Sequence, residues 1–154
     1  MFNIILFQPE IPQNTGNIIR LCANAGTQLH LVKPLGFILR DKQLLRAGLD
    51  YHEFASIKIH ENWKDCTYHI DTKRIFAITT RGKVQYDAIQ FYPGDAFLFG
   101  SETKGLPETI MNSIPDHMRL RLPMVTDSRS LNLSNTVAIV TYEAWRQHRF
   151  ESGR

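Results

Sequence analysis

The chain has 154 residues, of which 43% are hydrophobic and 21% charged; that is the balance of one globular domain able to bury its own core, and it excludes a disordered chain. A formal charge of +3 and a pI near 9.0 are a mild basic excess, compatible with a polyanionic partner without requiring one. Two cysteines and six histidines form neither a disulfide framework nor a metal-ligand spacing. The start, MFNIILFQPEIPQN, has no basic leader and only a short apolar run, so neither a signal peptide nor a membrane span is expected and a soluble cytoplasmic protein is the default.

Residues Phe2 to Phe7 (FNIILF) read as a buried strand closed by Pro9 and Pro12. Asn14 or Thr15 is suited to cap a helix whose apolar stripe is Ile18, Leu21, Cys22 and Ala25 and which Gly26 stops. Cys22, on that stripe, reads as a small core residue. Leu29 to Val32 form the next strand, and residues 41–47 (DKQLLRA) a short basic helix. Residues 55–73 are polar and carry the weakest pattern. Further strands are read at Ile75 to Thr80, at Ala96 to Phe99 before Gly100, and at Arg119 to Leu122 before Pro123. Pro107 fits the first position of a helix through Met111 and Ile114, and Ser134 fits the cap of a last helix over residues 135–148. The alternation predicts an α/β fold, a mainly parallel sheet with helices on both faces, as one domain over residues 1–154 with no linker or repeat.

Ligands of open parallel sheets bind beyond the carboxyl ends of the strands, and three polar clusters directly follow predicted strands. The first is NTGNIIR, residues 14–20. Arg20 lies roughly 200° around the helix from Ile18, away from the apolar stripe, with Asn17 and Asn24 on its face. The second, FGSETKGLP from Phe99 to Pro107, is a loop walled by Gly100 and Gly105. Leu106 stands where a Walker motif needs lysine, and no GxGxxG fingerprint is present, so neither a phosphate loop nor a dinucleotide site is predicted. What remains is a loop open to a flat ligand, with Glu102 and Lys104 as polar handles. The third, LPMVTDSRSLNLS from Leu122 to Ser134, is dense in groups that either bind a ligand or cap the next helix. No histidine is placed to activate a serine, which argues against a hydrolase. Arg20, Arg40, Lys42, Arg46, Lys104 and Arg129 are candidates for phosphate contacts, and Phe37, Tyr51 and Trp145 for base stacking.

In this order, NTGNIIR, FLFGSETKGLP and LRLPMVTDSRSLNLSNTVAIVTYEAWR resemble the three motifs of the SpoU-like branch of the SPOUT RNA 2'-O-methyltransferases. IPQNTGNIIRLCANAG and RAGLDYHEF extend the likeness to members that methylate the wobble nucleotide of tRNA. The resemblance implies an α/β domain with a C-terminal deep trefoil knot, a homodimer, and an RNA site spanning both subunits without a separate RNA-binding domain. It implies S-adenosylmethionine as methyl donor, S-adenosylhomocysteine as product, and no metal. Backbone groups around Ile78, Thr79, Gly100, Leu122, Ser130 and Leu131 would hold the donor. Arg20 matches the family's catalytic arginine, and Asn14, Glu102, Ser130 and Asn132 its supporting polar residues. Tyr142 lies on the last helix, which serves the dimer interface, and is a further active-site candidate. Arg20, Lys42, Arg46, Lys104 and Arg129 would meet RNA. Two departures stand out: Gln13 occupies a position usually held by Pro, and the tail HRFESGR is unlike that of the relatives.

The expected reaction is methyl transfer to the ribose 2'-oxygen of nucleotide 34, a cytidine or modified uridine, in the anticodon stem-loop of leucine tRNAs. Another tRNA position, rRNA, or a catalytically silent RNA-binding module are the alternatives. Intact Arg20, Gly100 and Asn132 speak against silence, and the missing glycine fingerprint against a nicotinamide-dependent enzyme.

Overall fold

The computed structural model describes residues 1–39, 52–53 and 56–154. Its elements are β1 (Asn3–Phe7), α1 (Pro12–Ala25), β2 (Gln28–Val32), β3 (Lys58–His60), α2 (Trp63–His69), β4 (Ile75–Ile78), β5 (Val84–Gln85), β6 (Ala96–Phe99), α3 (Glu108–Ser113), β7 (Arg119–Arg121) and α4 (Leu133–Gln147). The strands form one seven-stranded sheet in the order β3-β2-β1-β6-β4-β7-β5, and every pairing is parallel. All five expected strands are present, Ala96–Phe99 with the expected ends and the other four with an end shifted by a residue or two. The basic helix expected at 41–47 lies outside the described residues. Among the described residues, no helix is long and apolar enough to cross a membrane.

Side chains alternate across a strand, and this sheet is covered on both sides. Ile4 and Leu6 of β1 pack with Ile18 and Ile19 of α1 and Val137 and Val140 of α4. Ile5 and Phe7 pack with Cys66 of α2 and Ile110 and Met111 of α3. Double coverage explains why the central strands read as unbroken apolar runs. By contrast, β3, β5 and α2 were not expected. β3 is an edge strand with two of its three residues exposed, and β5 has two residues. Neither offers the alternation by which a strand is recognised.

Three helix starts differ from expectation. α1 begins at Pro12, with Ile11 in the cap position, so Asn14 and Thr15 lie inside its first turn, both buried. Proline fits there because a first-turn N–H has no helical partner to lose. α4 is capped by Asn132, whose Oδ1 accepts the backbone N–H groups of Ser134 and Asn135 at 2.9 and 3.4 Å. Ser134 instead donates its hydroxyl to Asn132, at 2.6 Å. Pro107 is the residue before α3. The stop at Gly26 is as expected, with a left-handed φ of 63° and its N–H on the Cys22 carbonyl. Cys22 is core, as expected, and burial pushes its thiol up to about 11.

The fold gathers histidines that stand apart in sequence. His30, His60 and Cys66, all buried, bring their ligand-type atoms within 4.8 Å of one another. Asn3 Nδ2 donates to the Gly94 carbonyl at 3.0 Å, so Asn3 Oδ1 is left as acceptor for His30 Nε2–H at 3.1 Å. His30 Nδ1 then accepts from His60 Nε2–H at 2.9 Å. The rings are near-parallel, 15° apart, and these nitrogens bond each other, where a metal would need them to converge. Burial raises the Cys66 thiol to about 12. The trio is a structural network.

Two outcomes follow for stability. Burial lowers His30 from 6.5 to about 4, so the unfolded chain binds the proton more readily. This contribution is complete above pH 6.5 and is lost as the pH falls through about 4. Urea denaturation at pH 7, 6 and 5 should show stability falling, with a shallower fall in His30→Gln; an equal slope in the variant contradicts the assignment. Loss of the α4 cap in Asn132→Ala should cost about 1–2 kcal/mol at pH 7, and an unchanged denaturation midpoint would contradict the capping role.

Candidate active site

The carboxyl ends of β4 and β6 open into a cavity of about 600 Å³, within the range of small-molecule sites. Ile78 to Arg81 form one wall after β4, and Phe99 to Leu106 a second after β6. Leu122, Met124 and residues 130–133 form the third, after β7, and Ile11 and Asn14 close the cavity from the start of α1.

The loop after β6 is folded back on itself. Gly105 donates its N–H to the Ser101 carbonyl at 3.0 Å, and Gly105 takes a φ of 65° that suits glycine. A Cβ on Gly100 would collide with the backbone of Gly105 and Leu106. The bare backbone is therefore required by this turn, and it leaves main-chain groups facing the cavity.

From this loop Glu102 reaches the start of α1. Its Oε2 accepts the Glu10 N–H at 2.7 Å, and its Oε1 accepts the Ile11 N–H at 2.9 Å and the Asn14 amide at 3.3 Å. A carboxylate at a helix N-terminus satisfies donors that have no helical partner and complements the helix dipole. Asn14 Oδ1 accepts in turn from Asn132 Nδ2 at 2.9 Å, and Asn132 Oδ1 is the cap of α4. One line of hydrogen bonds thus joins the second wall, the α1 floor and the third wall.

Most of the expected residues converge. Ile78, Thr79, Gly100, Leu122, Ser130 and Leu131 all line the cavity, as do Asn14, Glu102, Asn132 and Lys104. Arg20 does not. It is on the exposed stripe of α1 with Gln13, Asn17 and Asn24, and its Nε lies 3.8 Å from Glu53. Six residues separate it from Asn14, about 9 Å along the helix. Tyr142 also lies elsewhere, stacked edge-on against Trp145 beside a concavity of about 1060 Å³ formed with the C-terminal tail. Arg129 is exposed on the segment before α4, while Lys42 and Arg46, with Arg40 and Tyr51, lie outside the described residues. Sequence reasoning missed Ile11, Leu106, Met111 and Leu133, which supply apolar lining. Their only sequence signal is adjacency to the motifs.

The comparisons agree with this geometry. The model of the SpoU rRNA Methylase family matches residues 1–142. The tRNA (cytidine(34)-2'-O)-methyltransferase of Methylovorus glucosotrophus is 61% identical over 150 residues, covering 97% of each chain. A solved structure described in terms of the 2-OH methylation of C/U34 on tRNA is 40% identical, with a TM-score of 0.90 over 98% of both chains. An AdoMet-bound rRNA methyltransferase from Sinorhizobium meliloti is 26% identical, with a TM-score of 0.81 over 94% of this chain and 56% of that one. Motifs, strand order, cavity and likeness coincide over nearly the full length, and the chain belongs to the SpoU rRNA Methylase family.

Proposed function

We propose that this chain is a methyltransferase that moves the methyl group of S-adenosylmethionine to the ribose 2'-oxygen of nucleotide 34, cytidine or modified uridine, in tRNA, with leucine tRNAs as substrates. The observation that carries the reading is convergence: the six positions matched to donor binding, distant in sequence, line one cavity. The likeness to relatives named for 2'-O-methylation of cytidine 34 supports the substrate.

The donor fits the residues present. The Gly100 turn exposes backbone at one wall, while Ile78, Leu122 and Leu131 supply apolar surface and Thr79 and Ser130 polar atoms. When bound, S-adenosylmethionine supplies an activated methyl on a sulfonium, and the protein supplies position and electrostatics. Asn14, Glu102 and Asn132 hold the walls in register. A guanidinium is a poor proton acceptor, so the role of Arg20 is to polarise the 2'-hydroxyl and stabilise developing negative charge, not to act as a base.

Because Arg20 lies outside the cavity of its own chain, we assign it to the cavity of a second copy in a homodimer. Ile139, Tyr142 and Phe150, exposed on α4 and the tail, are suited to burial against that copy. Lys104 at the cavity and exposed Arg129 would meet RNA phosphates together with Lys42 and Arg46. One domain serves both donor and RNA, and the enzyme works in the cytoplasm. The path of residues 122–132 past the cavity to α4, which packs on α1, is the segment that would thread the trefoil knot.

Labelled donor and unfractionated tRNA should give 2'-O-methylation at nucleotide 34 on nucleoside mapping; label in rRNA or at another position overturns the substrate assignment. Arg20→Ala should lose methyl transfer by at least about 100-fold while S-adenosylhomocysteine binding stays within about twofold, and full turnover would overturn its role. Mixing Arg20→Ala with a donor-site variant, Gly100→Val, should restore up to about a quarter of the activity if Arg20 acts across the dimer. A mixture as dead as its parts would mean that it acts within its own subunit.

A further inference from the structure

Glu10 stands between β1 and α1 and is not among the residues that line the cavity. Its carboxylate is committed to the turn that forms the cavity's second wall. Oε1 accepts the Thr103 hydroxyl at 2.7 Å and the Thr103 N–H at 3.3 Å. In return, the Glu102 carboxylate accepts the Glu10 N–H at 2.7 Å. The two glutamates form a reciprocal clasp: each carboxylate grips the other's stretch of chain, across 92 residues of sequence.

The other side of Glu10 has no slack. The Gly36 N–H donates to the Pro9 carbonyl at 2.9 Å. A Cβ on Gly36 would lie 2.7 Å from Glu10 Cα and 2.8 Å from its carbonyl oxygen. The Glu10 backbone is thus packed tightly between Gly36 and the 101–104 turn. The hydroxyls of Thr103 and Ser101 hold the Glu10 carboxyl below its ordinary value, with Lys104 adding to the pull, so it is ionised and a strong acceptor at neutral pH.

We infer that Glu10 is a positioning residue of the donor site: by clamping the 101–104 turn onto the start of α1, it sets the shape of the Gly100–Gly105 wall and hence the affinity for S-adenosylmethionine. Its carboxylate acts through Thr103 and touches no reactant. This rests on the reading that the cavity takes the donor.

The test is calorimetry with S-adenosylhomocysteine on the full chain, together with steady-state methylation of tRNA. Glu10→Ala should weaken binding and raise KM for the donor by about tenfold, the scale of one charge-assisted hydrogen bond. KM for tRNA and kcat at saturating donor should stay within about threefold, because the RNA contacts and Arg20 are untouched. Glu10→Gln keeps an acceptor for the Thr103 hydroxyl and should recover most of the affinity. Thr103→Val should weaken binding, and adding it to Glu10→Ala should cost little more, since both remove the same contact. Wild-type affinity in Glu10→Ala, or additive losses in the double variant, overturns the inference. Should Glu10→Ala fail to fold, Thr103→Val and Glu10→Gln decide: wild-type affinity in Thr103→Val, or no better binding by Glu10→Gln than by Thr103→Val, overturns it. If the wild-type chain itself does not bind S-adenosylhomocysteine, the donor reading falls first.

Discussion

The carboxylate of Glu102 ties the turn after β6 to the start of α1. It accepts two backbone N–H groups ahead of α1 and an amide proton from Asn14 inside it. Hydrogen bonds to a charged acceptor contribute about 1.5–3 kcal/mol each, and the positive end of the helix dipole adds to them. With an apolar residue in its place, the N–H groups of Glu10 and Ile11 would lose this acceptor, and the turn after β6 would lose its anchor on α1. The cavity walls are loops, and loops hold a shape only when their polar groups are spoken for.

The direction of these bonds propagates. Asn132 spends its oxygen on the cap of α4, so only its NH2 is left to offer Asn14. Asn14 must then present its oxygen to Asn132, which turns its own NH2 toward Glu102. Neither amide can flip without leaving two donors face to face. Aspartate at position 14 could accept from Asn132 but would set a negative charge against Glu102, while leucine would neither give nor receive. A small ligand site is thereby defined by which atom donates to which.

Much of this was legible in the residues. Ala96–Phe99 was read with its observed ends, because a fully covered strand is a short apolar run stopped by glycine. Asn14 and much of the second and third clusters lie around one cavity because each cluster follows the carboxyl end of a parallel strand. The helix starts were misread for a common reason: a cap was sought on the nearest polar residue. At α1 the cap position is Ile11, with no side-chain cap bond, and the chain just ahead of it is held by Glu102, which no local window contains. At α4 the expected cap, Ser134, lies inside the first turn, and Asn132 ahead of it supplies the cap. The His30–His60 pair was invisible for a similar reason, since parallel pairing of β2 and β3 brings together residues 30 apart.

The bond between Asn132 and Asn14 spans 118 residues. On a ribosome adding about 5–20 residues per second, α1 is made many seconds before the partner that holds its first turn. The β1–β2 pair can form early, since its strands are close in sequence, but the third cavity wall does not exist until the last part of the chain emerges. A polypeptide released between Arg121 and Asn132 would own every strand of the sheet and not the finished site. Competence thus arrives late, all at once, and only in chains translated past Asn132.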